Sequence, residues 1–497
     1  MTIDFSPLPA RRETLLGLAG LGLAATMALP GRAGAFDMQY AQGPKYRVTL
    51  TRLSPPRFSV EADLPSAPRL EMVQSYPAEL PAMAKGGWPA LVSNLKVTGP
   101  AGEVVQATLD GDKGWRLTNP PTGSFPDGRM TVRYDVDLGI FAEAGWSSPL
   151  ESAVADEDHL VVCGRALFVT SPASRDMPIV EFITPAPWQA VTPWSVADSA
   201  HLSAETLEDL TDNMLVFTRT RPDIVKGGRF SLRITAMGHW APLRPLVEKT
   251  LRTIIRHEVA LMGGRMGGAY SVVLVPTVDR GGEAYRASFA YCFPNPTADN
   301  RAEWANTLAH EVFHYWNYAR LKGADYASTQ WFQEGFTEYV ANIVLLQGRI
   351  APPDVFLAKL SEHIANAAKL TTTLENIGTH KGPPLYSAGA LVAFCFDVMI
   401  RQASHGERRL SALFRNLWEQ TRGGAKPYAW ADIRASLEAA APGDWQGFYE
   451  AHIRGSQPLP LTQVLATAGL KLAGASVVVD PDAPKTAKAL WLGLVRG

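Results

Sequence analysis

The sequence predicts a multidomain protein, with an all-β domain followed by an α+β domain that ends in a helical lobe. Three patterns predict this. From Tyr46 to about Ile183, short alternating runs are broken by turn residues, and no helical period is sustained. From Trp188 onward, helical and strand patterns alternate, and from Ala351 to Arg454 only helical periods remain. Between these last two regions, Asn306 to Tyr339 sets two histidines and several carboxylates among apolar residues, NTLAHEVFHYWNYARLKGADYASTQWFQEGFTEY.

The 497 residues suffice for two or three domains, each with its own core. The expected divisions are 1–35, 36–187, 188–456 and 457–497. Residues 1–35 read as an export signal. Arg11 and Arg12 precede an apolar run from Leu15 to Leu29, and Ala33-Gly34-Ala35 offers a small-x-small cleavage site before Phe36. That run is short for a transmembrane helix. The paired arginines suggest a twin-arginine signal, although Thr14 stands where such signals often carry Phe. An ordinary secretory signal is the second reading and an uncleaved anchor the third. The expectation is an exported protein, periplasmic or secreted, with no stable membrane span after cleavage.

In the next division Tyr46–Arg52 and Met130–Leu138 alternate, while Pro120-Pro121 and Asp127-Gly128 mark turns. A sandwich without a catalytic cluster is expected there, serving as a scaffold that walls a cleft. After Trp188, Ala204–Arg219 reads as a helix, Arg229–Met237 as a strand and Pro242–Met262 as a long amphipathic helix. Within it, His257-Glu258 reads as a surface pair, since no second histidine follows four residues on. Ser271–Val278 is an apolar strand, Asp279 to Gly282 a turn, and Glu283–Phe293 a second strand. Farther on, Pro352-Pro353 opens one helix, Gly389–Gln402 forms another after a Gly-Pro-Pro loop, and Leu410–Arg422 follows. Cys163, Cys292 and Cys395 each fall in an apolar stretch and read as buried free thiols.

The chemistry concentrates on a few side chains. His310 and His314 are four apart, so on a helix both imidazoles reach one metal ion from the same face. Glu311 leans toward that side, placed to deprotonate a metal-bound water. Twenty residues after His314, Glu334 lies in the first two turns of a second helix that Ser328 is placed to cap. Packed antiparallel, that helix delivers Glu334 as a third ligand. Two His and one Glu leave the fourth zinc position open, as in a catalytic site binding one Zn²⁺. Glu338, one turn on, is placed either to orient a ligand histidine or to stand as a solvated carboxylate.

These residues resemble the gluzincins, zinc peptidases with a thermolysin-like catalytic fold, and among them the glycyl aminopeptidase family. H-E-V-F-H-Y-W-N-Y-A-R at 310–320, W-F-Q-E-G-F-T-E-Y at 331–339 and Y-S-A-G-A-L-V-A at 386–393 carry the resemblance, most of all the Trp-Asn pair and the Thr after E-G-F. It implies a thermolysin-like domain over 188–456 behind the β-domain, where G-W-R-L-T at 114–118 is similar in style. It implies that Tyr386 stabilises the tetrahedral oxyanion; the family's Lys two residues later is Ala388 here. It also implies a cleft strand that pairs with substrate and a glutamate that captures the free amine, in the motif Gly-Gly-Leu-Glu-His. The matching run is Gly281-Gly282-Glu283-Ala284-Tyr285, so Ala284 takes the glutamate's place and Glu283 comes one residue early. A one-residue shift on a strand turns a side chain to the other face, unless a bulge restores it. The tail, 457–497, resembles the segment ahead of the family's PDZ domain and is too short to hold that domain.

The function expected is a zinc-dependent, aminopeptidase-like peptidase acting on peptides or proteins. The alternatives are an endopeptidase of the same clan and a non-catalytic zinc-bearing peptide-binding protein. With a net charge of −1 and no long basic run, a nucleic-acid partner has no electrostatic support. Nothing in the sequence indicates an oligomeric state.

Overall fold

The computed structural model describes residues 43–73, 80–123, 128–144, 153–196, 201–264, 267–277, 281–377 and 382–497. The export-signal reading at 1–35 lies outside them, as do Asp127 and Asp279-Arg280 of the expected turns.

Lys45–Leu53, Pro56–Pro65 and Arg129–Asp137 pair antiparallel at the centre of a ten-stranded sheet. Their alternation sorts the faces: Val48, Val60, Ala62, Val132 and Val136 are fully enclosed, while charged neighbours point outward. A four-stranded sheet containing His159–Cys163 and Met214–Thr218 closes over that apolar face, with Phe58 and Phe217 5.1 Å apart. The two-sheet arrangement is the expected sandwich. Its strands continue past residue 187, through Gln189–Val191 and His201–Ser203 to Thr218. The helix expected over Ala204–Arg219 is instead a single turn, Leu207–Thr211, followed by the strand Met214–Thr218. All five side chains of that strand are buried, and a short continuous apolar run does not reveal its period.

A five-stranded sheet follows, in the order Asp223–Gly227, Phe230–Ala236, Gly268–Val275, Ser288–Cys292, Gly281–Ala284. The helix Arg244–Leu261 is the crossover that lets Phe230–Ala236 and Gly268–Val275 run parallel. The strand expected at Glu283–Phe293 is a hairpin: Gly281–Ala284 turns at Tyr285 to Ala287 and pairs antiparallel with Ser288–Cys292. That turn is held by the β-rich region. Asn213 Oδ1 accepts from Ala287 N at 2.9 Å, and Arg286 donates to Asp209 at 3.0 Å. Gly281–Ala284 is thus an edge strand in a braced hairpin.

The remaining helices form one lobe. Three matter for the site: the histidine helix Arg301–Phe313, the glutamate helix Tyr326–Gln347 and the tyrosine helix Pro383–Ala403. The last is long and apolar enough to cross a membrane, but most of it is buried in the lobe. It begins six residues earlier than the expected Gly389, because proline fits the first helical turn, where its missing N–H costs nothing. Asp325, not Ser328, caps the glutamate helix, accepting from the amides of Ala327 and Ser328. The glutamate and tyrosine helices cross where Gly335 meets Gly389. A Cβ on Gly335 would stand 2.2 Å from Gly389 Cα, so the backbones touch. Residues 457–497 form a helix, a hairpin and a final helix, Lys485–Arg496, whose Leu494 carbonyl accepts from Gln347 at 3.0 Å. Cys163, Cys292 and Cys395 are buried free thiols, as expected.

Candidate metal centre and active site

The i to i−4 bonding of the histidine helix extends to the residue that caps it, His314, whose N donates to the His310 carbonyl at 3.2 Å. Both imidazoles therefore leave the same face, one turn apart. The chain then turns back, and Asn317 ties the next helix into place. Its buried Nδ2 lies 3.1 Å from the carbonyls of Phe332 and Gln333 and from Thr337 Oγ1. The Asn after Trp316 and the Thr after E-G-F, family marks in the sequence, are thus in direct contact. Between Gln333 and Thr337, Glu334 is delivered to the histidines.

The Nε2 atoms of His310 and His314 are 3.1 Å apart, and Glu334 Oε2 is 3.4 and 3.3 Å from them. Tetrahedral bonds of about 2.05 Å separate neighbouring ligand atoms by about 3.3 Å. The three donors, nitrogen and oxygen atoms carried by largely buried side chains, therefore fit one zinc ion. Burial by itself would raise the Glu334 carboxyl pKa, but the two histidines pull it well below the usual carboxylate range.

Glu338 is not solvated. Its Oε2 lies 3.1 Å from His310 Nδ1, which fixes the tautomer that leaves Nε2 free to ligate. Burial would push its pKa up, yet the hydrogen bond and charge of His310 bring it down to about 2. Asn342 donates to Glu338 Oε1 at 3.0 Å. Beyond it, His363 contacts Asn342 at 3.3 Å and Ser387 Oγ at 3.1 Å. His310 is thereby connected through a chain of hydrogen bonds to the first turns of the tyrosine helix.

Glu311 is raised above the usual carboxylate range by burial, partly countered by the two histidines. A raised pKa suits a group that must both take and return a proton. The ring of Tyr386 lies 5.8 Å from that of His310. Burial first, and then Glu334 and Glu311, raise its phenol pKa, so it stays a donor. These groups surround a cavity of about 190 Å³. Gly282, Glu283 and Ala284 border it from the edge strand, whereas Gly281 does not. Burial first, and then nearby charges including Glu334 and Glu283, raise the hydroxyl pKa values of Tyr318 and Tyr326, two half-exposed rings that border the cavity. The same two rings border a second cavity of about 490 Å³, lined in part by Arg165, Glu208 and Asp212 of the β-rich region. The β-rich region thus borders this second cavity, whereas none of its described residues lines the one around His310 and Glu334.

His257-Glu258 is not a surface pair. Glu258 is fully enclosed, and neither carboxylate oxygen has a hydrogen-bond partner among the described residues. It falls three and four residues after Ile255 and Ile254, on the buried stripe of its helix, a spacing that was legible in the sequence. Tyr318, Tyr326, Gln330, Asn342 and His363 also escaped the sequence reading. Tyr326, Gln330, Glu334, Glu338 and Asn342 recur every four residues, and that row was the signal for three of them.

A model of the M61 glycyl aminopeptidase family matches residues 303–377, and the model of the peptidase M61 N-terminal domain matches residues 45–215. No curated protein matches the chain. Among solved structures, an aminopeptidase N family protein from Idiomarina loihiensis shares the fold at a TM-score of 0.69 and 17% identity, over 86% of this chain and 78% of that one. The M1 zinc metallopeptidase from Deinococcus radiodurans matches at a TM-score of 0.51 and 14% identity, over 84% of this chain and 94% of its own. His310, His314 and Glu334 all lie within the first matched segment, and the two matches give the chain the domains of the M61 glycyl aminopeptidase family.

Proposed function

We propose that the protein is an aminopeptidase-like zinc hydrolase of peptides, with His310, His314 and Glu334 as the ligands of one Zn²⁺. The observation that carries this reading is the convergence of those three donors beside Glu311 and Tyr386 in one cavity. When bound there, zinc supplies Lewis-acid polarisation of a carbonyl and acidifies water. Glu311 accepts the proton of the attacking water and returns it to the leaving amine. The Tyr386 hydroxyl donates to the carbonyl oxygen as negative charge develops on it. Glu338 keeps His310 oriented. The substrate backbone adds to the edge strand Gly281–Ala284, whose glycines admit a close approach, and Glu283 supplies the negative charge for a free ammonium.

Glu311→Gln tests the chemistry. It preserves size and hydrogen bonding but cannot take a proton, so zinc should remain while turnover falls by roughly 10² to 10⁴. Equal rates in the two proteins would remove Glu311 as the base. Ala284, at the position of the family's amine-binding glutamate, favours a second reading as an endopeptidase. Comparing free-amine with N-acetylated peptides separates the two. The Arg11-Arg12 leader supports action after export, and an exported protein starting at Phe36 on N-terminal sequencing is the expected result; an intact Met1 terminus would count against it.

A further inference from the structure

We propose that Gln330 is a substrate-binding residue, its carboxamide hydrogen-bonding the peptide backbone beside the scissile bond. This role presupposes the peptidase reading above. Gln330 belongs to the row Tyr326, Gln330, Glu334, Glu338, Asn342, which runs at four-residue spacing along one face of the glutamate helix. The other four members have visible tasks. Glu334 meets both histidines, Glu338 holds His310, Asn342 supports Glu338, and Tyr326 packs against Tyr318 with ring centroids 6.1 Å apart.

Gln330 is only 2% exposed and lines the catalytic cavity. Its side chain makes no hydrogen bond to any described residue, whereas nearby Gln333 donates to Thr329 at 3.0 Å. The amide atoms are not among the enclosed polar atoms that lack a partner, so they open onto the cavity, where a peptide's polar groups arrive. One helical turn, about 5.4 Å, separates Gln330 from Glu334, and successive peptide Cα atoms are about 3.8 Å apart. Gln330 therefore faces the backbone one or two residues from the carbonyl under attack. A carboxamide offers an acceptor oxygen and two donor hydrogens, which complement both halves of a peptide group. Being uncharged, it grips free-amine and N-blocked substrates alike, a division of labour with Glu283.

The test uses full-length, zinc-loaded Glu311→Gln protein, which should bind peptide without cleaving it. Calorimetry with Gly-Ala-Ala and its N-acetyl form gives the dissociation constants. Gln330→Met, which keeps length but removes every polar atom, should weaken both peptides by up to about 10-fold, the span of one hydrogen bond. Zinc content and melting temperature should stay unchanged, and Gln330→Asn should recover part of the loss. Equal binding with Gln330→Met overturns the role, as does a loss of zinc, which would make Gln330 a structural support. Absence of binding to the Gln330-containing protein, with zinc retained, overturns the peptidase reading itself and this role with it.

Discussion

Gly335→Ala asks whether the helix crossing behind Glu334 sets the metal site. A Cβ at residue 335 would lie 2.2 Å from Gly389 Cα, 2.3 Å from Gly389 C and 2.7 Å from Ala390 N. These are backbone atoms, so no side-chain rotation relieves the clash. Carbon–carbon contacts settle near 3.5–4.0 Å, so the helices must part by about 1.5 Å. Gly335 follows Glu334, and Gly389 lies three residues after Tyr386, so both groups move with their helices. Metal ligands tolerate only about 0.2 Å. Overpacking costs roughly 1–3 kcal/mol, toward the upper end against backbone, and replacing a mid-helix glycine returns about 1 kcal/mol. The expected net loss is about 2 kcal/mol, with at least about 10-fold weaker zinc binding, as for other displaced ligand supports. Denaturant unfolding of metal-free protein measures the first and chelator competition the second. An unchanged unfolding midpoint together with unchanged zinc affinity would show that the crossing has slack and does not set the site.

Three further outcomes follow from the site. Glu334→Ala or His314→Ala should each abolish stoichiometric zinc on metal analysis, because two ligands from one helical turn bind weakly; full zinc in Glu334→Ala would take that residue out of the site. Glu258 has its folded pKa raised by burial well above the ordinary 4.5, so the unfolded chain loses its proton first as pH rises. Stability then falls with pH in the window above 4.5, by up to about 1.4 kcal/mol per unit. Glu258→Gln cannot ionise, so its advantage over the parent should widen as pH rises above 4.5; parallel stability curves would contradict this. Glu283→Ala should reduce preference for free-amine peptides and Ala284→Glu should increase it, read as kcat/KM on matched free and acetylated substrates. A preference surviving Glu283→Ala would assign the amine to another carboxylate.

Much of this protein was legible because its information is local. Alternation sorts a strand's faces whatever lies against it, so Val48, Val132 and Val136 announced a sandwich. A four-residue step on a helix puts His310 and His314 on one face before any tertiary contact forms, and Glu334 needs only the next helix to fold back. Glu258 and Gln330 obeyed the same spacing rules, yet Glu258 was read as a surface residue for want of a second histidine and Gln330 was passed over. Other features had no local signature. Met214–Thr218 is a strand because a second sheet accepts it, and its uniform burial erased the period that would have said so. Gly281–Ala284 became the edge of a hairpin through bonds that the β-rich region makes to its turn. His363 and Ser387 reach the network around His310 and Glu338 from two further helices, and Gly335 faces Gly389 across 54 residues of chain. Sequence by itself determined which side chains could converge as a His-His-Glu donor set, because a helix carries its own geometry. The cavity's shape and the supports behind its ligands were decided only by tertiary structure, because they depend on which surfaces pack together to exclude water.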